Sequence, residues 1–213
     1  MTGQKMIYMA GRPAAGLDGA QLDRIRDCLV NGGVVLLPTD TVYGLAVHPT
    51  RPDAARRLFA MKRRPQGRNL PIMVASTAQL PELGVELTPA AGRLFDAFSP
   101  GPLSVALGLL PGAAPDWLAG RVEVAVRAPA DEELLEILTV TGPLLVTSAN
   151  LHEQSTPESV GAILATLDGE PDVVVDGGPR QAVPSTLVNC NLPTPVIERV
   201  GAIPAQRITE VLA

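Results

Sequence analysis

Asn31-Gly32-Gly33-Val34-Val35-Leu36-Leu37-Pro38-Thr39-Asp40-Thr41-Val42-Tyr43-Gly44-Leu45 is the stretch whose reading decides the fold. A Gly-Gly break opens onto a β-branched and aliphatic run long enough for a buried strand. Pro38 cannot extend that run as a central strand, because it fixes φ and donates no backbone hydrogen bond. Thr39, Asp40 and Thr41 then crowd polar side chains at the end of a buried strand, which is costly unless they bond to backbone or ligand. Two readings stand at this point: a turn held by its own side chains, or one wall of a ligand site.

Working outward, Asp18 to Val30 places Leu22, Ile25, Cys28 and Leu29 on one 3.6-period face, an amphipathic helix closed by Asn31-Gly32. Downstream, Arg51 to Lys62 and Thr88 to Phe98 read as helices with a proline in the first turn. Asp131 to Thr139 and a helix opened by Thr156-Pro157-Glu158 follow the same pattern. Between them lie strands at Met6 to Met9, Val34 to Leu37, Pro71 to Ala75, Leu103 to Leu110, Glu123 to Arg127 and Leu144 to Val146. Val173 to Val175, Ser185 to Asn189 and Val196 to Val200 complete the set, and Ala10 to Gly16 and Leu110 to Pro115 read as surface loops. Several connections are too short for crossover helices, so the expected class is α/β with a twisted, mixed parallel and antiparallel sheet.

The chain has 213 residues, 46% of them hydrophobic and 3% aromatic, enough for one sizeable core of Val, Leu, Ala and Ile. One domain over residues 1–213 is therefore expected, with no apolar run long enough to span a membrane and no signal pattern. Cys28 and Cys190 are too few for a disulfide framework or thiolate metal site and read as free thiols of a reducing, cytoplasmic compartment. The net charge of -5 speaks against a general nucleic-acid binder. Against that average, Arg51, Arg56, Arg57, Lys62, Arg63, Arg64 and Arg68 face one acid, Asp53, in residues 51–68, either a solvated helix face or an anion site.

The arrangement of the opening stretch recurs. Apolar strands end in hydroxyl or amide groups at Thr39/Thr41, Ser148/Asn150 and Ser185/Thr186, and Arg121, Arg127 and Arg199 stand at strand or turn ends. Gathered at one sheet edge, they would offer donors to carboxylate and phosphate oxygens, although capping and turn formation explain Ser148, Asn150, Ser185 and Thr186 equally well. Lys62 and Arg64 could bracket a polyphosphate, one as a mobile point charge and the other as a fork. No Walker sequence, Rossmann fingerprint or Gly-x-Ser-x-Gly elbow is present. Cys28 reads as a core thiol and His48 as a turn residue, His152 is open to either a ligand or a turn role, and Asp40 is either structural or a helper to hydrated Mg²⁺.

Leu37-Pro-Thr-Asp-Thr-Val-Tyr-Gly-Leu45, Lys62-Arg63-Arg64-Pro65, Pro100-Gly101-Pro102-Leu103-Ser104, Val124-Ala125-Val126-Arg127 and Thr147-Ser148-Ala149-Asn150 together closely resemble the YrdC/Sua5 family. Pro184-Ser185-Thr186-Leu187-Val188 and Arg199-Val200-Gly201-Ala202-Ile203 continue the likeness, which spans about residues 20 to 205. The resemblance implies a YrdC-like fold with a concave anion-binding groove, in the form without an extra C-terminal domain. It implies synthesis of L-threonylcarbamoyladenylate from L-threonine, bicarbonate and ATP, with release of pyrophosphate, for the t6A modification of tRNA. Mg²⁺ held mainly through phosphates, contacts with tRNA or double-stranded RNA and with t6A-pathway proteins, and a monomer or homodimer belong to the same expectation. The family's tetrad falls on Lys62, Arg64, Ser148 and Asn150, and its basic residue after a Trp-Leu-x-Gly turn on Arg121. Its nucleotide- and threonine-contacting positions fall on Thr39, Thr41, Asn69, Ser104, Arg127, Ser185 and Arg199, with no protein-held metal.

This sequence also departs from the pattern. Leu151-His152-Glu153 replaces the Ser-Gly that usually follows Asn150, Ala75 stands where many members have histidine, Ser104 replaces threonine and Asn189 replaces a carboxylate. These changes touch the acceptor amine more than the triphosphate. They leave two alternatives: a related carbamoyl-adenylate-forming or carbamoyl-transferring paralogue, and a non-catalytic RNA-binding protein.

Overall fold

The computed structural model describes residues 7–10, 16–65, 69–180 and 183–213. In chain order the elements are β1 (Ile7–Ala10), α1 (Gly19–Val30), β2 (Val35–Leu37), β3 (Gly44–Val47), α2 (Pro52–Met61), β4 (Ile72–Met73), α3 (Pro89–Phe98) and β5 (Leu103–Gly108). They continue with β6 (Glu123–Arg127), α4 (Glu132–Thr141), β7 (Leu144–Ser148), α5 (Val160–Thr166), β8 (Val173–Asp176), β9 (Thr186–Asn189), β10 (Val196–Arg199) and α6 (Ala205–Leu212). Short 3-10 segments cover Thr77–Leu83 and Asp116–Leu118. Met6, residues 11–15 of the expected first loop, and Gly67 and Arg68 of the basic loop lie outside the described residues.

Among the described residues, ten strands join one sheet in the order β1-β8-β2-β3-β7-β4-β6-β5-β9-β10. The pairs β1–β8, β2–β8, β4–β6 and β5–β9 are parallel, and β2–β3, β3–β7, β4–β7, β5–β6 and β9–β10 are antiparallel. This is the mixed sheet that the short connections require.

Alternation along the central strands assigns side chains to opposite faces. Leu36, Leu45, Val47, Val105, Val124 and Val126 enter one core, against α2, α3, α5 and α6 through Leu58, Leu94, Phe95, Ile163 and Ile208. Val35, Leu37, Ala46, Val146, Val173 and Val175 enter the other, against Ile25 and Leu29 of α1 and Leu134, Ile137 and Leu138 of α4. Strands covered on both sides read as continuous apolar runs, which is why residues 34–37 show no polar alternation.

Several boundaries moved for identifiable reasons. The strand expected over Pro71 to Ala75 shrinks to Ile72–Met73, because Pro71 has no N–H and the Ala75 N–H is taken by Gln79 Oε1 at 2.8 Å. The fifth helix begins at Val160 with Ser159 as its cap, rather than at Thr156, whose hydroxyl bonds Asn150 Oδ1 at 3.2 Å instead. β7 runs on through Thr147 and Ser148, which pair with Leu45 and Gly44. Helix α6 was not anticipated; it buries Ile208, and Arg93 donates to the carbonyls of Val211 and Leu212 at its end.

Candidate functional site

The second core stops short of the far side of the sheet. Across β6, β5 and β9 the residues on that face are Glu123, Ala125 and Arg127, Ser104 and Ala106, and Leu187, and no helix covers them. They form the floor of a cavity of about 800 Å³. Thr39, Thr41 and Gly44 supply one wall, Pro184, Ser185, Glu198 and Arg199 a second, and Arg64, Asn69, Thr147, Ser148, Asn150 and Thr156 a third. Gly44 must be bare, because a Cβ there would lie 2.8 Å from Val146 Cγ1. Gly201 is equally constrained, since its Cβ would meet the Pro184 carbonyl oxygen at 2.2 Å, behind the wall that presents Ser185.

Arg127 organises the cationic end. Its guanidinium donates to Gly101 O at 3.0 Å, Thr41 Oγ1 at 2.9 Å and Asp40 Oδ1 at 2.6 Å. Burial lowers its pKa, and the Asp40 carboxylate opposes that shift. Thr41 Oγ1 lies 3.0 Å from Thr39 Oγ1, which donates to Val42 O at 2.7 Å. Opposite, Ser104 Oγ and Ser185 Oγ are 2.8 Å apart, and Arg199 donates to Ser185 through its carbonyl at 3.0 Å and its hydroxyl at 3.1 Å. Burial, and then repulsion from Arg127, lower the Arg199 pKa. Arg199 thus lies within electrostatic reach of Arg127, whose own charge is paired with Asp40.

The tetrad positions are neighbours, with unequal exposure to the cavity. Arg64 lines it, donating to Thr147 Oγ1 at 3.2 Å and Asn69 O at 3.1 Å while lying over the Phe59 ring. Asn150 lines it too, but its amide is committed to its own loop, donating to Leu151 O at 2.6 Å and Gln154 O at 2.7 Å and accepting from Thr156. Lys62 departs from the expected mobile point charge. It is 2% exposed and does not line the cavity. Its ammonium donates to the carbonyls of Ser148 and Asn150 and lies 3.4 Å from Asn150 Oδ1, so it clamps the strand end behind the wall.

Burial, and then the nearby Arg64 charge, lower Lys62 from 10.5 to about 7. Between those two values the unfolded chain holds the proton and the folded chain releases it, so stability rises with pH. Cys28 and Cys190 oppose this above their ordinary 9.0, because burial raises them to about 12 and about 11. The clean window is therefore about pH 7 to about 8.5, over which Lys62 should add about 1–2 kcal/mol. Urea unfolding at both ends of the window should show that gain in the wild type and a flat response in Lys62→Met; equal slopes would rule the linkage out.

Several other residues singled out by the sequence lie away from the cavity. Arg121 does not line the cavity: its guanidinium donates to Leu70 O at 3.3 Å, bracing a residue that does. The basic run of residues 51–68 disperses, with Arg51 donating to Val30 O, Arg57 pairing with Asp172 and Arg63 with Asp168. These three heads turn to separate partners, Val30 at the end of α1 and Asp172 and Asp168 beyond α5. His152 turns to Glu153 at 3.6 Å rather than to the cavity. Cys28 is half-buried, with a thiol pushed too high for a nucleophile.

Sequence reasoning missed Glu123, Thr156 and Glu198 as lining residues. The period-2 relation of Glu123 to Arg127 on one strand was a usable signal; Glu198 depends on an irregularity in β10 that sequence does not display. Among the described residues no group of three His, Cys, Asp or Glu side chains could hold a metal ion. Asp40 Oδ2 is buried without a hydrogen-bond partner, but Asp40 is engaged by Arg127 and does not line the cavity.

An open mixed sheet with a guanidinium- and hydroxyl-lined cavity on its uncovered face defines an α/β protein with a polar, arginine-bearing cavity. The family model for Sua5, YciO and YrdC proteins, described as "Telomere recombination", matches residues 27–201, and the chain belongs to that family. It is 34% identical over 182 residues to the threonylcarbamoyl-AMP synthase of Bacillus subtilis, covering 84% of this chain and 53% of that protein. It is 30% identical over 188 residues to a putative threonylcarbamoyl-AMP synthase of Methanocaldococcus jannaschii, covering 88% of each. The crystal structure of Pyrococcus abyssi Sua5 complexed with L-threonine superposes with a TM-score of 0.85 at 30% identity, over 98% of this chain and 61% of that one. The chain thus spans about half the length of the Bacillus subtilis relative and under two thirds of the Pyrococcus abyssi structure.

Proposed function

We propose that this protein makes L-threonylcarbamoyladenylate from L-threonine, bicarbonate and ATP, releasing pyrophosphate, as the activated donor for the t6A modification of tRNA in the cytoplasm. The supporting observation is the cavity itself, with Arg64, Arg127 and Arg199 lining it among hydroxyls and, among the described residues, no cysteine or histidine. Such a site suits chemistry between substrates that needs no covalent enzyme intermediate. Bicarbonate yields CO2 with loss of hydroxide, and threonine's amine adds to that CO2 as its proton passes to solvent, giving a carbamate. A carbamate oxygen attacks the α-phosphorus of ATP, forming a P–O bond as the bond to pyrophosphate breaks. Arg64 and Arg199 neutralise charge on the anions, Arg127 fixes Thr41 and the wall around it, and Lys62 and Asn150 hold the strand end that presents Ser148. Mg²⁺ would arrive on the phosphates, and no step of the residues depends on it. The same reading takes residues 1–213 as one YrdC-like domain.

Ala75 and His152-Glu153, in place of the family's usual histidine and Ser-Gly, favour one alternative, a paralogue with a different acceptor amine. A purely RNA-binding role is disfavoured because Arg51, Arg57 and Arg63 of the basic run are engaged in internal contacts. The deciding experiment is incubation with ATP, bicarbonate and a panel of amino acids, with mass identification of any adenylate. A threonylcarbamoyl-adenylate formed at least about tenfold faster than any other product is expected. Preference for another amine would replace threonine by that amine, and no adenylate with any amine would overturn the reading.

A further inference from the structure

The hydroxyls of the turn between β2 and β3 can be followed proton by proton. Thr39 Oγ1 gives its one hydrogen to Val42 O at 2.7 Å, so the 3.0 Å contact between the two threonine hydroxyls is a donation from Thr41 to Thr39. Thr39 Oγ1 also accepts from the Thr41 N–H at 3.1 Å, which fills both its lone pairs. Thr41 Oγ1 has spent its hydrogen and accepts from Arg127 at 2.9 Å, leaving one lone pair. Both residues line the cavity, so the hydroxyls of this wall can accept from a ligand and cannot donate to it. They suit an ammonium, an amine or a hydroxyl and offer nothing to a phosphate oxygen. Opposite, the balance is reversed: Ser104 and Ser185 share one hydrogen bond and Arg199 donates to Ser185, so one serine hydrogen is left for an anion.

The turn that carries the accepting wall is held by a second guanidinium besides Arg127. Arg180 Nε donates to the Thr39 carbonyl at 3.1 Å, yet Arg180 does not line the cavity. Its Nη1 donates to Gly177 O at 2.6 Å, its Nη2 lies 3.6 Å from Asp131 Oδ2 at the start of α4, and its head sits over the Tyr43 ring. The Arg180 backbone is tied down as well, through its N–H to Glu158 O at 2.9 Å. Tyr43 lines the cavity and is gripped by the same segment, accepting from the Gly177 N–H at 3.1 Å and donating to Gly178 O at 2.7 Å. Gly177 leaves space for the guanidinium, since a Cβ there would lie 2.7 Å from Arg180 Nη2 and 3.1 Å from Pro38 Cγ. Pro38 has no N–H to anchor the turn at its start, and the bond from Arg180 to the next carbonyl serves instead.

We infer that Arg180 is a positioning residue for the amine-bearing substrate: by holding the Thr39 carbonyl it keeps the accepting wall of Thr39 and Thr41 in place without touching the ligand itself. The inference rests on the proposed use of threonine and extends that site to a residue outside the cavity. Threonine brings an amine and a hydroxyl, either of which can donate to the Thr41 lone pair, whereas a triphosphate is answered by Arg64, Arg199 and the remaining serine hydrogen. Loss of Arg180 therefore loosens one substrate and spares the other. Methionine at this position keeps an apolar contact with Tyr43 and none of the donors. Lysine keeps a charge toward Asp131 but lacks the fork that reaches Thr39 and Gly177 together.

The test is calorimetric binding of L-threonine and of ATP, each titrated alone into the full chain, for the wild type, Arg180→Met, Arg180→Lys and Gly177→Ala. Arg180→Met should weaken L-threonine by about tenfold or more and ATP by less than about threefold, and Arg180→Lys should stay within about threefold of Arg180→Met. Gly177 is not at a positive φ, so Gly177→Ala keeps every charge and should weaken L-threonine by displacing the guanidinium. Urea unfolding of the same preparations reports the fold, and Gly177→Ala carries the test by the same criteria if Arg180→Met does not fold. L-threonine affinity within about threefold of the wild type, equal weakening of both ligands, or full recovery in Arg180→Lys overturns this inference and leaves the proposed reaction standing. Failure of the wild type to bind L-threonine overturns both.

Discussion

Replacing Arg127 with methionine should destabilise the protein by about 3–5 kcal/mol, the cost expected when one member of a buried ion pair is removed. Its guanidinium and the Asp40 carboxylate are 5% and 13% exposed and 2.6 Å apart. Loss of Arg127 strands Asp40, whose second oxygen already lacks a partner, and frees the Gly101 carbonyl and the Thr41 hydroxyl. Asp40→Asn alone should cost less, because the amide is uncharged and can still accept from Arg127. The combined Arg127→Met/Asp40→Asn chain should recover a large part of the loss, since no uncompensated charge remains. Urea unfolding of all three variants measures this. Additive costs would mean that the two groups act independently and that the cavity wall does not depend on their pairing.

That pairing was visible in the sequence only as two separate suspicions. Asp40 could be structural or metal-assisting, and Arg127 could contact a ligand; nothing local links residues 87 positions apart. The strand and helix framework was far more legible, because it rests on local signals. Asp18 and Gln21 form the capping box of α1, and Thr88, Pro89 and Asp131 start α3 and α4 as capping rules require. Element ends that moved did so where a distant side chain or a missing N–H intervened, as at Pro71, Ala75 and Thr156.

The cavity was legible as a set of residue types and illegible as a surface. Alternation on β6 puts Glu123, Ala125 and Arg127 on one face, but only the order of strands shows that α1 and α4 fail to cover it. Depth is likewise a tertiary property. Lys62 and Arg64 are two residues apart in one motif, yet one is sealed behind carbonyls and the other reaches the cavity. Net charge could not foresee that Arg57 and Arg63 would be absorbed by Asp172 and Asp168 across more than a hundred residues.

The difference between those two cations leads to the other large expected effect. Arg64→Ala should lower ATP- and threonine-dependent pyrophosphate release by about 10²–10³-fold, the usual consequence of removing one preorganised donor from developing charge. The fold should survive, because Arg64 touches Thr147 Oγ1 and the Asn69 carbonyl at the cavity wall and lies on one ring of α2. Lys62→Ala should behave differently. It removes a fully buried side chain and strands the Ser148 and Asn150 carbonyls, so its loss of activity should come with a lowered urea midpoint. Arg64→Lys supplies the control for charge alone: a point charge lacks the planar fork, and should restore less than a tenth of the lost rate. Pyrophosphate release and unfolding measured on the same preparations distinguish the cases. An Arg64→Ala enzyme with unaltered release would remove Arg64 from the chemistry, and would move the phosphate contacts to Arg199 and the hydroxyl pair beside it.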